Sequence, residues 1–252
     1  MARLIARLVC GLVVVCGALP AQAQWGNVKA KFVYGGSPPT PAKIDANKDQ
    51  QVCATPPQLV DESLLVDPNG GIANVLLYVR TKGVKVHPDY EKTANDKIDF
   101  DNKHCRFDPH VLAVRVSQTI LFKNTDPIGH NTNYQPIGDT PVNPLLPGGA
   151  EAPYKSNRSQ ITPQPVSCNI HPWMKGYILA RDNPYMAISA PDGTLEIKNL
   201  PTGEIEFQAW QEKSGYLAVT TPSWPKGRFT HTVKPGDNDL GTIKVDPALF
   251  NK

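Results

Sequence analysis

Apolar and polar residues alternate along this chain in short runs. Val28, Ala30, Phe32 and Tyr34 are interleaved with Lys29 and Lys31, the period of two that a half-buried strand requires. Residues 73–79, Ala-Asn-Val-Leu-Leu-Tyr-Val, predict a second and more deeply buried strand, and a proline-rich loop separates the two. Further strands are expected over 111–116, over 119–124 ahead of a turn-rich loop, and over 176–180. After residue 188 the punctuation becomes regular. Asp192-Gly193 marks a turn, 194–198 alternates, Leu200-Pro201-Thr202-Gly203 marks another turn, and Ile205, Phe207 and Ala209 alternate again. That sequence of turns and strands predicts a series of hairpins.

Composition agrees with an all-β class. Among 252 residues there are 25 prolines and 19 glycines, with 19% charged residues, which argues against a helical bundle or coiled coil. The longest apolar run, Leu8 to Leu19, has 12 residues and is too short to span a bilayer. Arg3 and Arg7 precede it and Ala21-Gln22-Ala23 follows, the arrangement of a secretory signal peptide over 1–23. The expected product is an exported chain, periplasmic or secreted, without a transmembrane segment. Its charge is nearly balanced, 24 basic against 23 acidic residues once the leader is removed. Such a balance carries no electrostatic footprint for nucleic acid.

Cys10 and Cys16 leave with the leader, so Cys53, Cys105 and Cys168 remain in an oxidising compartment. An odd count leaves one thiol free, paired between chains or bound to metal. The neighbours of Cys168 select it: Cys168-Asn169-Ile170-His171-Pro172-Trp173-Met174 presents a thiolate, an imidazole and a thioether at the spacing Cys-x2-His-x2-Met. These are ligand types that copper takes in His2Cys sites with a weak axial Met. A second histidine, His130, lies in the loop after the 119–124 strand, and Cys53 and Cys105 are left available to pair with each other.

Phe122-Lys123-Asn124-Thr125-Asp126, His130-Asn131 and the compact Cys168/His171/Met174 loop together resemble the cupredoxin family, with the loop spacing of its amicyanin and methylamine-utilisation branch. The resemblance implies a Greek-key β-sandwich and one type 1 copper. It gives His130, Cys168 and His171 as equatorial ligands and Met174 as the axial one, with Asn131 tying the two ligand loops together. It also implies that the exposed edge of His171 is the electron port; Pro127, Ile128, Pro172 and Trp173 could make a small apolar patch around it, with the core as the alternative place for Trp173. One departure is visible: the family often has an aromatic residue two positions before the cysteine, where this chain has Val166-Ser167.

The function expected from this resemblance is that of a non-enzymatic carrier of single electrons between redox protein partners. The alternative is a copper-binding module for storage, sensing or assembly within a larger redox complex. A Cys-His nucleophile pair fits poorly, because no orienting Asn or Asp is identifiable. His104, Cys105 and His110 form a second cluster that could hold another metal, although a Cys53–Cys105 disulfide is the preferred reading. His87 and His231 have no ligand-like neighbours.

The hairpin series at the C-terminus, with its Leu-Pro-x-Gly turn and Gly215-Tyr216, resembles the carboxypeptidase regulatory-like or transthyretin-like β-sandwich. In that reading 24–82 and 184–252 form one Ig-like sandwich interrupted by a cupredoxin domain at 83–183. The rival arrangement is a single enlarged cupredoxin sandwich with an N-terminal extension and a C-terminal β-module.

Overall fold

The computed structural model describes residues 25–251; the expected leader, with Cys10 and Cys16, lies outside them. The protein is nearly all-β, with 44% strand and 7% helix. Its strands enclose two principal cores.

The first core lies between a three-stranded and a five-stranded sheet. In the three-stranded sheet Trp25–Tyr34 is central, antiparallel to Thr194–Pro201 and parallel to Gly236–Val245. Its strict alternation buries Val28, Ala30 and Phe32 and turns the lysines outward. The facing sheet carries Met186–Ile188, Leu76–Val79 and Gly203–Gln211, with Gly215–Tyr216 and Arg228–Val233 both paired to the last of these. At the Asp192-Gly193 turn the backbone passes close to Phe32. Gly193 has φ +83°, and a Cβ there would lie 2.1 Å from the Phe32 carbonyl oxygen, so only glycine fits.

The second core also lies between two sheets. One runs Glu151–Tyr154, Thr119–Asn124, Lys97–Lys103, Arg106–Asp108; the other runs Val111–Arg115, Lys175–Arg181, Gln164–Ser167, Asn133–Tyr134. Phe100, Phe107, Phe122, Tyr134, Tyr154, Val166 and Ile178 pack between them. Ala46, Cys53 and Leu59 are buried in the same cluster, so the proline-rich segment after the first strand packs on this core rather than on the first.

Two strands join the cores because both of their faces are covered. Leu77 and Val79 point into the first core while Leu76 and Tyr78 meet Val111, Leu179 and Trp210 in a third, smaller cluster. On the other side of that cluster Ile178 and Ala180 face the second core and Leu179 faces the junction. This two-sided burial is the reason Leu76–Val79 lacks polar alternation; the strand expected over 73–79 forms only there, because Ala73 and Asn74 make a turn with Asn74 at φ 60°.

Candidate metal centre

The site is assembled by a hairpin and a neighbouring loop. Gln164–Ser167 pairs antiparallel with Lys175–Arg181, with Ser167 opposite Lys175, so residues 168–174 form the hairpin loop. The loop closes on itself: the Met174 N–H donates to the His171 carbonyl at 2.9 Å and the Cys168 N–H to the Met174 carbonyl at 3.2 Å. His130 arrives because Asn133 and Tyr134 pair with Ser167 and Val166, the residues that lead into Cys168. Asn124 holds the preceding loop in shape, donating from Nδ2 to the carbonyls of Ile128 and Leu146, each at 2.7 Å.

These constraints bring three donor atoms together. The Cys168 sulfur lies 3.9 Å from His130 Nδ1 and 3.7 Å from His171 Nδ1, and all three donors fall within 4.8 Å of one another. His130 and His171 are 0% exposed and Cys168 2%. Met174 is buried in the same core cluster as Cys168. Among the described residues Cys168 is the free cysteine. Asn131 links the two loops: its Oδ1 accepts from the Asn169 N–H at 2.8 Å, the Ile170 N–H at 3.3 Å and the Cys168 thiol at 3.4 Å.

Each imidazole is gripped from behind by a carboxylate. Asp126 Oδ2 lies 2.9 Å from His130 Nε2, and Asp49 Oδ2 lies 2.8 Å from His171 Nε2. A carboxylate only accepts, so both Nε2 atoms carry a proton and both Nδ1 atoms are the ones turned toward sulfur. Asp126 also accepts the N–H groups of His104 and Cys105, at 2.6 and 2.8 Å. Burial pushes its carboxyl up, but these bonds and the His130 bond outweigh that and leave it below the ordinary value.

Electrostatics favour a thiolate between imidazoles. Burial raises the Cys168 thiol, yet hydrogen bonds from His130 and from backbone N–H groups bring it below its ordinary value. Burial opposes the charged form of His130, and the Asp126 and Cys168 bonds overcome it, raising this group to about 9. For His171 burial prevails over the Asp49 bond and the group is lowered. A buried pair in which an imidazole proton faces an acidified sulfur is a place where a soft cation can replace the proton.

One expectation is corrected here, and the preferred reading of the second cluster is borne out. The edge of His171 is not exposed: its Nε2 is bonded to Asp49 and the residue is fully buried. Of the expected rim, Pro127 and Pro172 are exposed, whereas Trp173 is partly buried and donates from Nε1 to the Cys105 carbonyl at 3.1 Å. His104, Cys105 and His110 do not form a second metal site. Cys105 is bonded to Cys53, His104 faces solvent, and His110 Nε2 is bonded to Glu212 at 2.6 Å beside a small cavity of about 40 Å³. A grouping of Cys105 with Asp126 and His130 is likewise closed to metal, because the disulfide consumes the thiol.

Sequence reasoning missed both carboxylates. Asp126 lies four residues before His130 within the segment that carries the resemblance, a signal that was available. Asp49 lies 122 residues from His171, and no local pattern marks it.

No protein-family model matches the chain, and no curated protein matches it. Among solved structures, parts of the chain are similar to cupredoxins and to a copper enzyme. A Cu-containing nitrite reductase from Thermus scotoductus SA-01 is 24% identical over 33% of this chain and 22% of its own, with TM-score 0.31. A purple cupredoxin from Nitrosopumilus maritimus is 20% identical over 34% and 99%, with TM-score 0.28. An amicyanin variant in its reduced Cu(I) form is 17% identical over 42% and 98%, with TM-score 0.31. The chain thus spans about a fifth of the nitrite reductase and nearly all of the two smaller proteins.

Proposed function

We propose that the chain is an exported copper protein that carries single electrons, with His130, Cys168 and His171 as the principal ligands and Met174 as a weak fourth. The observation that carries this reading is the convergence of two Nδ1 atoms on one free, buried thiol within 4.8 Å. The donor set fits copper, since thiolate and thioether are soft ligands and imidazole suits this metal. When bound, copper supplies a one-electron couple between Cu(II) and Cu(I). The protein's residues hold the donors in place for both states: Asn131 locks the Cys168 loop to the His130 strand, and Asp126 and Asp49 fix the imidazole orientations. Burial of all three donors keeps substrates away from them, which favours electron transfer over bond-making chemistry and a redox protein as the partner.

The division into a 24–82 plus 184–252 sandwich around a domain at 83–183 is part of the same proposal. Its support is that one core draws on residues 28–79 and 185–250 while the other, apart from Ala46, Cys53 and Leu59, lies within 100–180; those three place the proline-rich part of the 24–82 segment on the second core. The first core adds no residue to the metal centre, and this favours a second reading in which the copper domain is one module of a larger redox assembly. Export is supported by the leader-like N-terminus and the Cys53–Cys105 disulfide. Among the described residues no helix is long and apolar enough to cross a membrane.

The test is a Cu(II) titration of the purified chain followed by visible absorption and EPR on the same sample. An intense thiolate-to-copper charge-transfer band with narrow copper hyperfine splitting, lost in Cys168→Ser, is expected. Weak absorption with ordinary tetragonal EPR, or a band retained in Cys168→Ser, refutes the ligand assignment.

A further inference from the structure

The segment that covers His171 comes from a distant part of the chain. Backbone bonds between Ile44 and Leu59 and between Asp61 and Ala42 close residues 42–61 into a strap, with Asp49 and the short helix Gln50–Cys53 at its tip. Asp49 occupies the residue before that helix, where an aspartate ordinarily turns its carboxylate inward to cap the free N–H groups. Here it makes no such bond. Its backbone is left-handed, with φ 47° and ψ 42°, a region that non-glycine residues rarely enter. Its carbonyl accepts from Val52 and Cys53 while its carboxylate reaches His171 Nε2. The side chain has been turned away from its local use toward the imidazole.

The strap is pinned where it matters. Cys53, the last residue of the helix, is bonded to Cys105, and the Cys105 N–H donates to Asp126, the carboxylate behind the other imidazole. One covalent link therefore braces both carboxylates that hold the histidines. The Trp173 indole, bonded to the Cys105 carbonyl, lies against His171 with ring centres 5.2 Å apart.

We propose that Asp49 is a positioning residue for His171 and that the strap is a cap which closes the imidazole edge of the centre and is held shut by the Cys53–Cys105 disulfide. The part of this that concerns copper rests on the function proposed above; the cap itself does not. Because the edge of His171 is covered, a redox partner meets the strap, not the imidazole. Loss of the disulfide frees the tip and opens that edge.

The experiment separates the two claims by using the full chain with and without copper. In the metal-free protein, diethyl pyrocarbonate modification mapped by mass spectrometry should leave His171 protected while exposed His104 reacts. Asp49→Ala should remove the protection, and Asp49→Asn should keep it, since an amide oxygen accepts the same bond. The Cys53→Ala/Cys105→Ala pair should remove it with Asp49 intact. Reaction of wild-type His171 alongside His104, or protection that persists in Asp49→Ala, overturns the cap. With copper bound, Asp49→Ala should shift the Cu(II)/Cu(I) equilibrium toward Cu(I) about tenfold, the scale of outer-partner effects on metal sites. For one electron that raises the potential by about 59 mV. An unchanged potential overturns the positioning role, and failure to bind copper overturns the metal reading while the modification pattern still decides the cap.

Discussion

His110 offers a quantitative test of how the second sandwich is tied to the rest of the molecule. It opens the strand Val111–Arg115, and its side chain is only 8% exposed. Nε2 lies 2.6 Å from Glu212 and Nδ1 lies 3.6 Å from Glu62, which Arg106 also contacts at 3.3 Å. Asp61 and Lys175 line the adjoining cavity. Burial disfavours the imidazolium, but the two carboxylates outweigh it and raise the group from 6.5 to about 9. A group raised in the folded state stabilises fully below its unfolded value, and that contribution is lost as pH rises through the folded value. At about 1.36 kcal/mol per pH unit, the imidazolium contributes about 3 kcal/mol at pH 6 and almost nothing at pH 10. Urea unfolding of wild type and His110→Gln across this range reads it directly. The stability difference should shrink by about 3 kcal/mol between pH 6 and pH 10. A difference that is constant with pH would falsify the ion-pair account and leave His110 as an ordinary buried side chain.

Four further outcomes are expected. Gly193→Ala should lower the unfolding free energy by at least about 2 kcal/mol, because its φ is +83° and the new Cβ meets the Phe32 carbonyl; an unchanged urea midpoint contradicts this. Removing the Cys53–Cys105 bond, which closes a separation of 52 residues, should cost about 4 kcal/mol by chain entropy, and equal midpoints for the bridged and Cys53→Ala/Cys105→Ala proteins would dismiss it. Asp126→Ala strips the acceptor from His130 and from the His104 and Cys105 N–H groups, so copper affinity should fall about 10- to 100-fold; an unaltered titration would show that His130 is oriented by something else. Met174→Leu should retain copper with an altered potential, as befits a weak axial donor, and complete loss of metal would show a larger part for the thioether.

The buried His110 pair and the strap lead to the same functional point. Glu212 belongs to the hairpin Gly203–Gln211/Gly215–Tyr216 of the first sandwich, and Glu62 follows the strap. Both carboxylates meet at the edge of the core that holds the candidate copper ligands, beside Trp173 and Met174. The surroundings of the site are therefore set by segments from outside the ligand hairpin and its neighbouring loop.

The features legible along the chain are local ones. Alternation at 28–34 and 194–209, the turn at Asp192-Gly193 and the Leu76–Val79 part of the buried run at 73–79 appear as strands and turns, because period, turn chemistry and side-chain size act over a few residues. The Cys168-x2-His171-x2-Met174 spacing and the odd cysteine count were legible for the same reason. Some strands escaped local reading: Glu151–Tyr154 carries a proline, tolerated because the strand lies at a sheet edge. Gly236–Val245 mixes glycines with charges, and its partner Trp25–Tyr34 supplies the regularity.

The tertiary structure alone decided which distant groups meet. It set Asp49 against His171 across 122 residues, joined Cys53 to Cys105, withdrew Cys105 from any metal, and buried the edge of His171 that resemblance had placed at the surface. Side-chain chemistry is carried by each residue, whereas exposure and partnership depend on what the rest of the chain packs against it, and no short-range pattern encodes that.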